Sequence, residues 1–466
     1  MFFTEKYAEY IKNIKYDYIP KKVIYKLKDC IIDSIGCAIG GSQLPAGEII
    51  TNTIAKIEQS FDSFIWGNNK KTSLLLSSYI NSALANAMDF DDTIFVTGPT
   101  TGLHPGCTVI QPAFTLGSFL GSSGKEILEA ILIGYEIQER IAEAVFPSVN
   151  RLKLVKGQGT FLTFGSTVVV AKLLKLENNE ICNAFGIAGC NAPIASTKKI
   201  WGNKEVGITM VKNNVGMASL NGILSAFLAK NGFSGPWNIF EGGTGFWVMS
   251  GSDQFFPDRL DKELNKKFKV FYISFKPYPC CRSLHSSIDA VLDIIKSNKI
   301  EIRDILSILI ETHPYVVENY SFKNPKNYIE AAFSLPFVIS LELLKLPYGF
   351  EEDFKRNIKN YCVLDLMQKI KIEKIRYLGK MRNSEEGYYP SRAIVNVDGK
   401  RYKKLVNYPL GSTQNPMSHK ELKDKFFRLA NKWLSEEKTR YLYEKLMDIE
   451  NIKNVKSEII CKIFSK

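Results

Sequence analysis

Along residues 1–270 the apolar positions recur at a helical period. Over residues 22–39, Val23, Ile24, Leu27, Ile31 and Ile32 fall close to the spacing of about 3.6 residues that marks one helix face. This predicts a helix that starts after Pro20 and stops at Gly40-Gly41. Residues 78–88 form an apolar run that reads as a buried helix, and residues 126–145 form another, preceded by Ser122-Ser123-Gly124. Residues 160–176 are so dominated by small and apolar side chains that they must be buried. Residues 183–194 are rich in Gly and Ala, which predicts helices packed closely enough to need small side chains. A further buried helix spans 216–229 and ends at Asn231-Gly232. The whole stretch reads as almost continuous helix with short connections and no fixed-period repeat.

The texture changes near Phe268. Residues 269–275 are aromatic and β-branched, a strand signal, and residues 307–312 carry another around Ile308, Leu309 and Ile310. Residues 393–402 read as a hairpin turning at Asp398-Gly399. Helices at 285–296 and 332–344 lie between these strands, making an α+β segment of about 140 residues, a domain-sized unit. After Pro409 the chain returns to helix, with Ser418 and Glu421 spaced as a capping box. The predicted class is mainly α. Residues 1–268 and 410–466 form one helical domain, and the α+β unit spans 269–409.

Length and composition suit a soluble globular protein: 466 residues, 45% apolar and 23% charged. The N-terminus has a charge pair where a signal peptide would have its apolar core, and runs such as 127–133 are too short to span a bilayer. A cytoplasmic protein without membrane contact is expected. The nine cysteines include no C-x-x-C pair, which argues against a disulfide framework and against an iron–sulfur cluster. Cys280 and Cys281 read as packing residues. A net charge of +13 has its lysines spread through the chain, with mild density at 369–382 and 401–404 and no nucleic-acid-binding pattern. A positive field that draws in a small polyanion fits this better than nucleic acid, and a compositional bias without function fits it too.

Candidate chemistry concentrates at Asn86-Ala-Met-Asp89-Phe90-Asp91-Asp92-Thr93, followed by Gly102-Leu103-His104-Pro105-Gly106. Clustered carboxylates raise one another's pKa, and a nearby imidazole titrates near neutrality, which together suit proton transfer. The plainer reading is a helix end running into a turn, with Asp capping and Pro-Gly punctuating it. Both readings fit the spacing.

In this order the motifs resemble the MmgE/PrpD family of 2-methylcitrate dehydratases, cis-aconitate decarboxylases and iminodisuccinate epimerase. The landmarks are Asp33-Ser-Ile-Gly36, Met88 to Thr93, His104-Pro-Gly106, Gly134-Tyr-Glu136 with Arg140, Gly232-Phe-Ser-Gly-Pro236 with Phe240-Glu-Gly242, Phe275 to Arg282 with His285, and Asn415-Pro-Met-Ser418 before Lys425-Phe426. The resemblance implies that the α+β unit is a lid inserted in the helical domain, with a homodimer, no metal or organic cofactor, and an active site between domain and lid. It implies catalytic roles for Asp89, Thr93, His104 and Lys276, and places Lys156, Lys212, Arg282 and His285 around the substrate. The activity implied is a hydro-lyase reaction on a small di- or tricarboxylate. Decarboxylation, epimerisation, or carboxylate binding without turnover are the alternatives on the same scaffold.

The residues are consistent with that chemistry. Removing a proton beside a carboxylate builds negative charge, which Lys276 and Arg282 can offset. His104 can move the proton and Asp89 can orient it. The plain alternative for Lys276 is a solvated lysine at a strand end, and for Arg282 and His285 it is packing within the lid. Three positions depart from the family pattern. Lys156 stands where many members have His, Lys212 lies one place from the expected lysine, and Phe337 replaces a Tyr.

Overall fold

The computed structural model describes residues 1–58, 62–95, 102–152, 154–197, 207–374 and 389–465, with the side chains of 149, 156, 196 and 197 also outside the description. The periodic segments are helices, with bounds shifted by a few residues: Lys21–Gly41, Leu74–Ala87, Gly106–Leu120, Gly124–Val145, Gln158–Leu173, Asn178–Cys190 and Val215–Lys230. Ser123 starts the fourth of these. Its hydroxyl accepts from Glu126 N at 3.3 Å while the Glu126 carboxylate accepts from Ser123 N at 2.9 Å. The small residues do what their pattern predicts. A Cβ on Gly222 would stand 1.8 Å from Ser166 Oγ, so the helices Val215–Lys230 and Gln158–Leu173 approach through a missing side chain.

Residues 1–270 are less continuous than the pattern implies. A short hairpin, Ser63–Ile65 with Asn68–Thr72, interrupts them. From Asn231 to Phe268 the chain is mostly turns with two four-residue helices. The expected strand at 269–275 does not form. Lys269–Tyr272 is a 3₁₀ turn, and only Ser274 pairs, in a single bridge to Thr93. Strand propensity needs a neighbouring edge. Here the backbone groups have other partners: Lys269 N donates to the Glu136 carboxylate and Ile273 O accepts from Lys26 Nζ.

Beyond this crossing lies a four-stranded sheet in the order Ile370–Lys374, Ile305–Thr312, Ser391–Val397, Lys400–Val406. Its first pair is parallel and the other two antiparallel. The hairpin turns at Asp398 and Gly399, with φ of 44° and 74°, the double positive φ that an Asp-Gly turn supplies. Helix His285–Asn298 packs on the sheet. The predicted helix at 332–344 is shorter, Leu335–Leu343, because Pro336 suits a first turn and not a helix interior.

Two main cores result. One runs from Tyr7 to Phe275 and resumes from Leu422 to Ile463; the other joins Cys280 to Val406. Helix His419–Ala430 begins with the expected Ser418–Glu421 capping box and lies against Lys21–Gly41. All nine cysteines are free. Among the described residues no helix is long and apolar enough to cross a membrane.

Candidate active site

Helix Leu74–Ala87 ends at Met88, and Asp89 then takes a left-handed backbone with φ of 55°. Asp is one of the few residues besides Gly that tolerate this conformation. The turn reading thus holds, and the turn lets side chains from distant segments converge on Asp89.

Asp89 Oδ1 lies 3.2 Å from Lys212 Nζ and 3.9 Å from His104 Nε2, while Oδ2 lies 3.2 Å from Lys276 Nζ. Burial alone would push the Asp89 carboxyl up. Lys212, Lys276 and His104 outweigh it and hold the group well below the usual carboxylate range. Lys276 is only 1% exposed, so it is not the solvated lysine of the plain alternative. Burial opposes its charge, but Asp89 and Asp91 raise its pKa above the ordinary value. Both ammoniums also bind the turn's backbone: Lys276 Nζ donates to Asp89 O at 2.7 Å and Lys212 Nζ to Asn86 O at 3.1 Å. Lys212 itself has a left-handed backbone, φ 42°.

The nearer carboxylate to His104 is Asp91, which the sequence reading left out of the site. His104 Nδ1 is 3.2 Å from Asp91 Oδ1, off line for a hydrogen bond but close enough for an ion pair. Asn86 Nδ2 donates to both Asp91 oxygens at 3.2 and 3.0 Å, and Asn213 Nδ2 donates to Asn86 Oδ1 at 3.0 Å. Burial works against ionising Asp91, yet His104 and Lys276 bring it below its ordinary value. Mutual raising, expected of all three carboxylates, is seen only at Asp92. Burial, then Asp33 and Asp91, push Asp92 up to about 7. Asp92 accepts from Gly106 N at 3.0 Å and from the Tyr135 hydroxyl at 2.8 Å, so it braces the corner that follows His104.

The other predicted residues divide. Thr93 exchanges two backbone hydrogen bonds with Ser274, at 2.9 and 2.8 Å, which sets it beside the strand of chain leading to Lys276; its buried Oγ1 makes no hydrogen bond among the described residues. Arg282 and His285 interact with each other. Arg282 Nη1 donates to His285 Nδ1 at 2.9 Å and to Leu410 O at 2.8 Å. Burial, then Arg282 and Lys276, push the His285 imidazole well below its ordinary pKa, so it is neutral and accepts. Lys156 pairs its backbone with Ser196, and its side chain lies outside the described residues.

A cleft of about 460 Å³, counting its open mouth, ends on Asp89 and Lys212. Met88 and these two form one wall, and Phe333, Phe337 and Phe350 line the lobe side. Phe337 presents a ring with no hydrogen-bond donor. A second cleft of about 720 Å³ meets the first at Lys212, Ala87, Tyr328 and Ile329. Among the described residues no group of His, Cys, Asp or Glu is arranged to hold a metal ion. Asn86, Asp91 and Asn213 are the polar residues the sequence reading missed. Their signal was position alone, inside the Asp-rich motif or beside Lys212.

Fold and site together define a mainly helical protein with a smaller α+β lobe and a buried centre of carboxylates, ammoniums and one imidazole, of which Asp89 and Lys212 line a cleft. Residues 5–257 match the MmgE/PrpD N-terminal domain and residues 278–449 the MmgE/PrpD C-terminal domain. The chain belongs to the MmgE/PrpD family. It is 23% identical to the human cis-aconitate decarboxylase over 97% of this chain and 92% of that protein. The corresponding figures are 22%, 97% and 94% for a cis-aconitate decarboxylase of Aspergillus terreus. For the 2-methylcitrate dehydratase of Escherichia coli K12 they are 23%, 93% and 91%.

Proposed function

We propose that the protein is a cofactor-independent lyase acting on a small di- or tricarboxylate in the cleft that ends on Asp89 and Lys212. One observation carries this reading: a buried carboxylate holds two ammoniums, each 3.2 Å away, beside an imidazole. A proton beside a carboxylate is hard to remove because a second negative charge develops on the same group. Fixed cations in a dry site offset that charge without reorganising. Lys276 and Lys212 supply it. His104 is the group that moves the proton, and Asp91 steadies the imidazolium that results. Asp89 is held so firmly ionised that it makes a weak base; its part is to fix the two ammoniums.

In the hydro-lyase reading, His104 takes the proton, the electron pair left behind forms a carbon–carbon double bond, and the neighbouring hydroxyl leaves as water after gaining a proton. A decarboxylase reading has its own support in the aromatic wall of Phe333, Phe337 and Phe350. Apolar surroundings disfavour a carboxylate more than the less charged transition state that releases carbon dioxide. There the carbon–carbon bond breaks, carbon dioxide leaves, and the electron pair takes a proton from His104. A homodimer in the cytoplasm is the setting we propose for either reaction.

The test is proton NMR of the purified protein in D₂O with citrate-like, aconitate-like and succinate-like acids. A new alkene with loss of water supports the first reading, and carbon dioxide release with deuterium retained beside a carboxylate supports the second. Silence across the panel, with binding still visible by thermal shift, would refute catalysis.

A further inference from the structure

Two landmarks at opposite ends of the sequence, Asp33 to Gly36 and Lys425-Phe426, have no part in the chemistry above. The fold brings them together. Lys425, on helix His419–Ala430, sends its ammonium across to helix Lys21–Gly41 and donates to Asp33 Oδ1 at 2.6 Å. The same Nζ donates to Phe90 O at 2.6 Å and lies 3.9 Å from the centre of the Phe90 ring. Gly36 makes room for this crossing: a Cβ there would stand 3.2 Å from Phe426 Cδ2. Lys425 is 4% exposed, and Asp33 Oδ2 has no hydrogen-bond partner among the described residues, so Lys425 is the principal partner of a buried carboxylate.

Phe90 O belongs to the turn that carries Asp89. The carbonyls of Asn86, Asp89 and Phe90 are each bound by a lysine, and the three lysines come from separate segments: Lys212, Lys276 and Lys425. The first two also touch the Asp89 carboxylate. Lys425 does not, and it reaches the turn from behind. Asp89 holds a left-handed backbone with φ of 55°, which an Asp tolerates, and the three carbonyl contacts hold the turn around it.

We propose that Lys425 is a positioning residue for the proton-transfer centre, clamping the Phe90 carbonyl so that Asp89 and Asp91 meet Lys212, Lys276 and His104 in register. The proposal rests on the reading of the site given under Proposed function. The C-terminal segment, which rejoins the helical core through its apolar residues from Leu422 to Ile463, thereby delivers one cation to the turn. Asp33 orients that cation.

The test separates clamping from burial of charge. Lys425→Met leaves Asp33 buried without its partner, so the melting temperature falls for either reason. In the double variant D33N/K425M both charges are gone, so the part of the loss due to an unpaired buried charge is recovered. The carbonyl clamp stays absent. Hydrogen–deuterium exchange of peptides covering residues 84–95 reads the turn directly and needs no substrate. The expected result is a double variant whose melting temperature recovers while the turn still exchanges faster than in the wild type. Its kcat on the substrate found by NMR is expected to fall by about 10²-fold with KM nearly unchanged, the scale of a misplaced catalytic group. Lys425→Arg, which keeps a cationic donor, is expected to retain slow exchange in the turn. If turn protection returns together with the melting temperature in the double variant, Lys425 serves stability alone and the proposal fails. Should no acid be turned over by the wild type, the exchange result stands and only the functional reading falls.

Discussion

Replacing Asp89 by Asn removes one charge and little else, because Asn accepts a left-handed backbone as readily as Asp. The amide cannot satisfy both neighbours. Whichever way it is turned, its NH₂ faces an ammonium about 3.2 Å from the oxygen it replaces, either Lys212 or Lys276. At that distance and an effective dielectric of about 20, each lost attraction is worth about 5 kcal/mol before desolvation is counted. After desolvation, losing one partner of a buried pair typically destabilises by about 3–5 kcal/mol, and we expect that range at pH 7. The pH dependence gives the sharper test. In the wild type, Lys276 is held above its ordinary 10.5, so its contribution is fully present below that value and is lost only as pH climbs through the raised one. In the variant, Lys276 loses the larger of its two carboxylate attractions, and burial then favours the neutral amine. The folded state then binds fewer lysine protons than the unfolded state, and stability rises with pH up to the ordinary lysine range. Denaturant midpoints followed by tryptophan fluorescence from pH 7 to 10 should therefore show the gap narrowing. A variant as stable as the wild type at pH 7, or a gap that ignores pH, would refute the reasoning.

Three further outcomes are expected. Asp91→Asn removes the carboxylate beside His104 Nδ1 and should lower kcat by about 10²–10⁴-fold with KM little changed; unchanged steady-state kinetics would return the orienting role to Asp89. Asp92→Asn mimics the protonated form. Wild-type Asp92 is raised from 3.8 to about 7, so the native state binds the extra proton in that window and loses stability as pH rises across it. The stability difference should move in the variant's favour by up to about 4 kcal/mol between pH 4 and pH 8, read from urea midpoints, and a flat difference would contradict the assignment. Arg140→Met strands Glu136, whose carboxylate lies 2.8 Å from Arg140 Nη1, and drops the bond to Lys267 O at 3.1 Å. A loss of about 3–5 kcal/mol is expected, with faster proteolysis around 263–269; a wild-type melting curve would rule out a structural part for the pair.

What the sequence determined by itself was local. The helices appear because apolar residues repeat at a period that a single segment carries, and the Ser418 capping box and the Asp398-Gly399 turn appear because a few adjacent residues dictate backbone angles. The Asp89 motif and His104 stood out as residue types close together in the chain, whereas Lys276 was singled out only through the family resemblance. Tertiary structure decided everything that depends on what arrives from elsewhere. Residues 269–275 have the composition of a strand and no edge to join, so they turn instead. Lys212 is 123 residues from Asp89 in the chain, and only the fold sets its ammonium 3.2 Å from that carboxylate. The Asp89, Asp91 and Asp92 carboxyls are nearly indistinguishable in the sequence, yet two are lowered and one is raised. A carboxyl's ionisation is set by burial and by charges within a few ångströms, and here those charges come from Lys212, Lys276, His104 and Asp33, residues that only the folded chain makes neighbours.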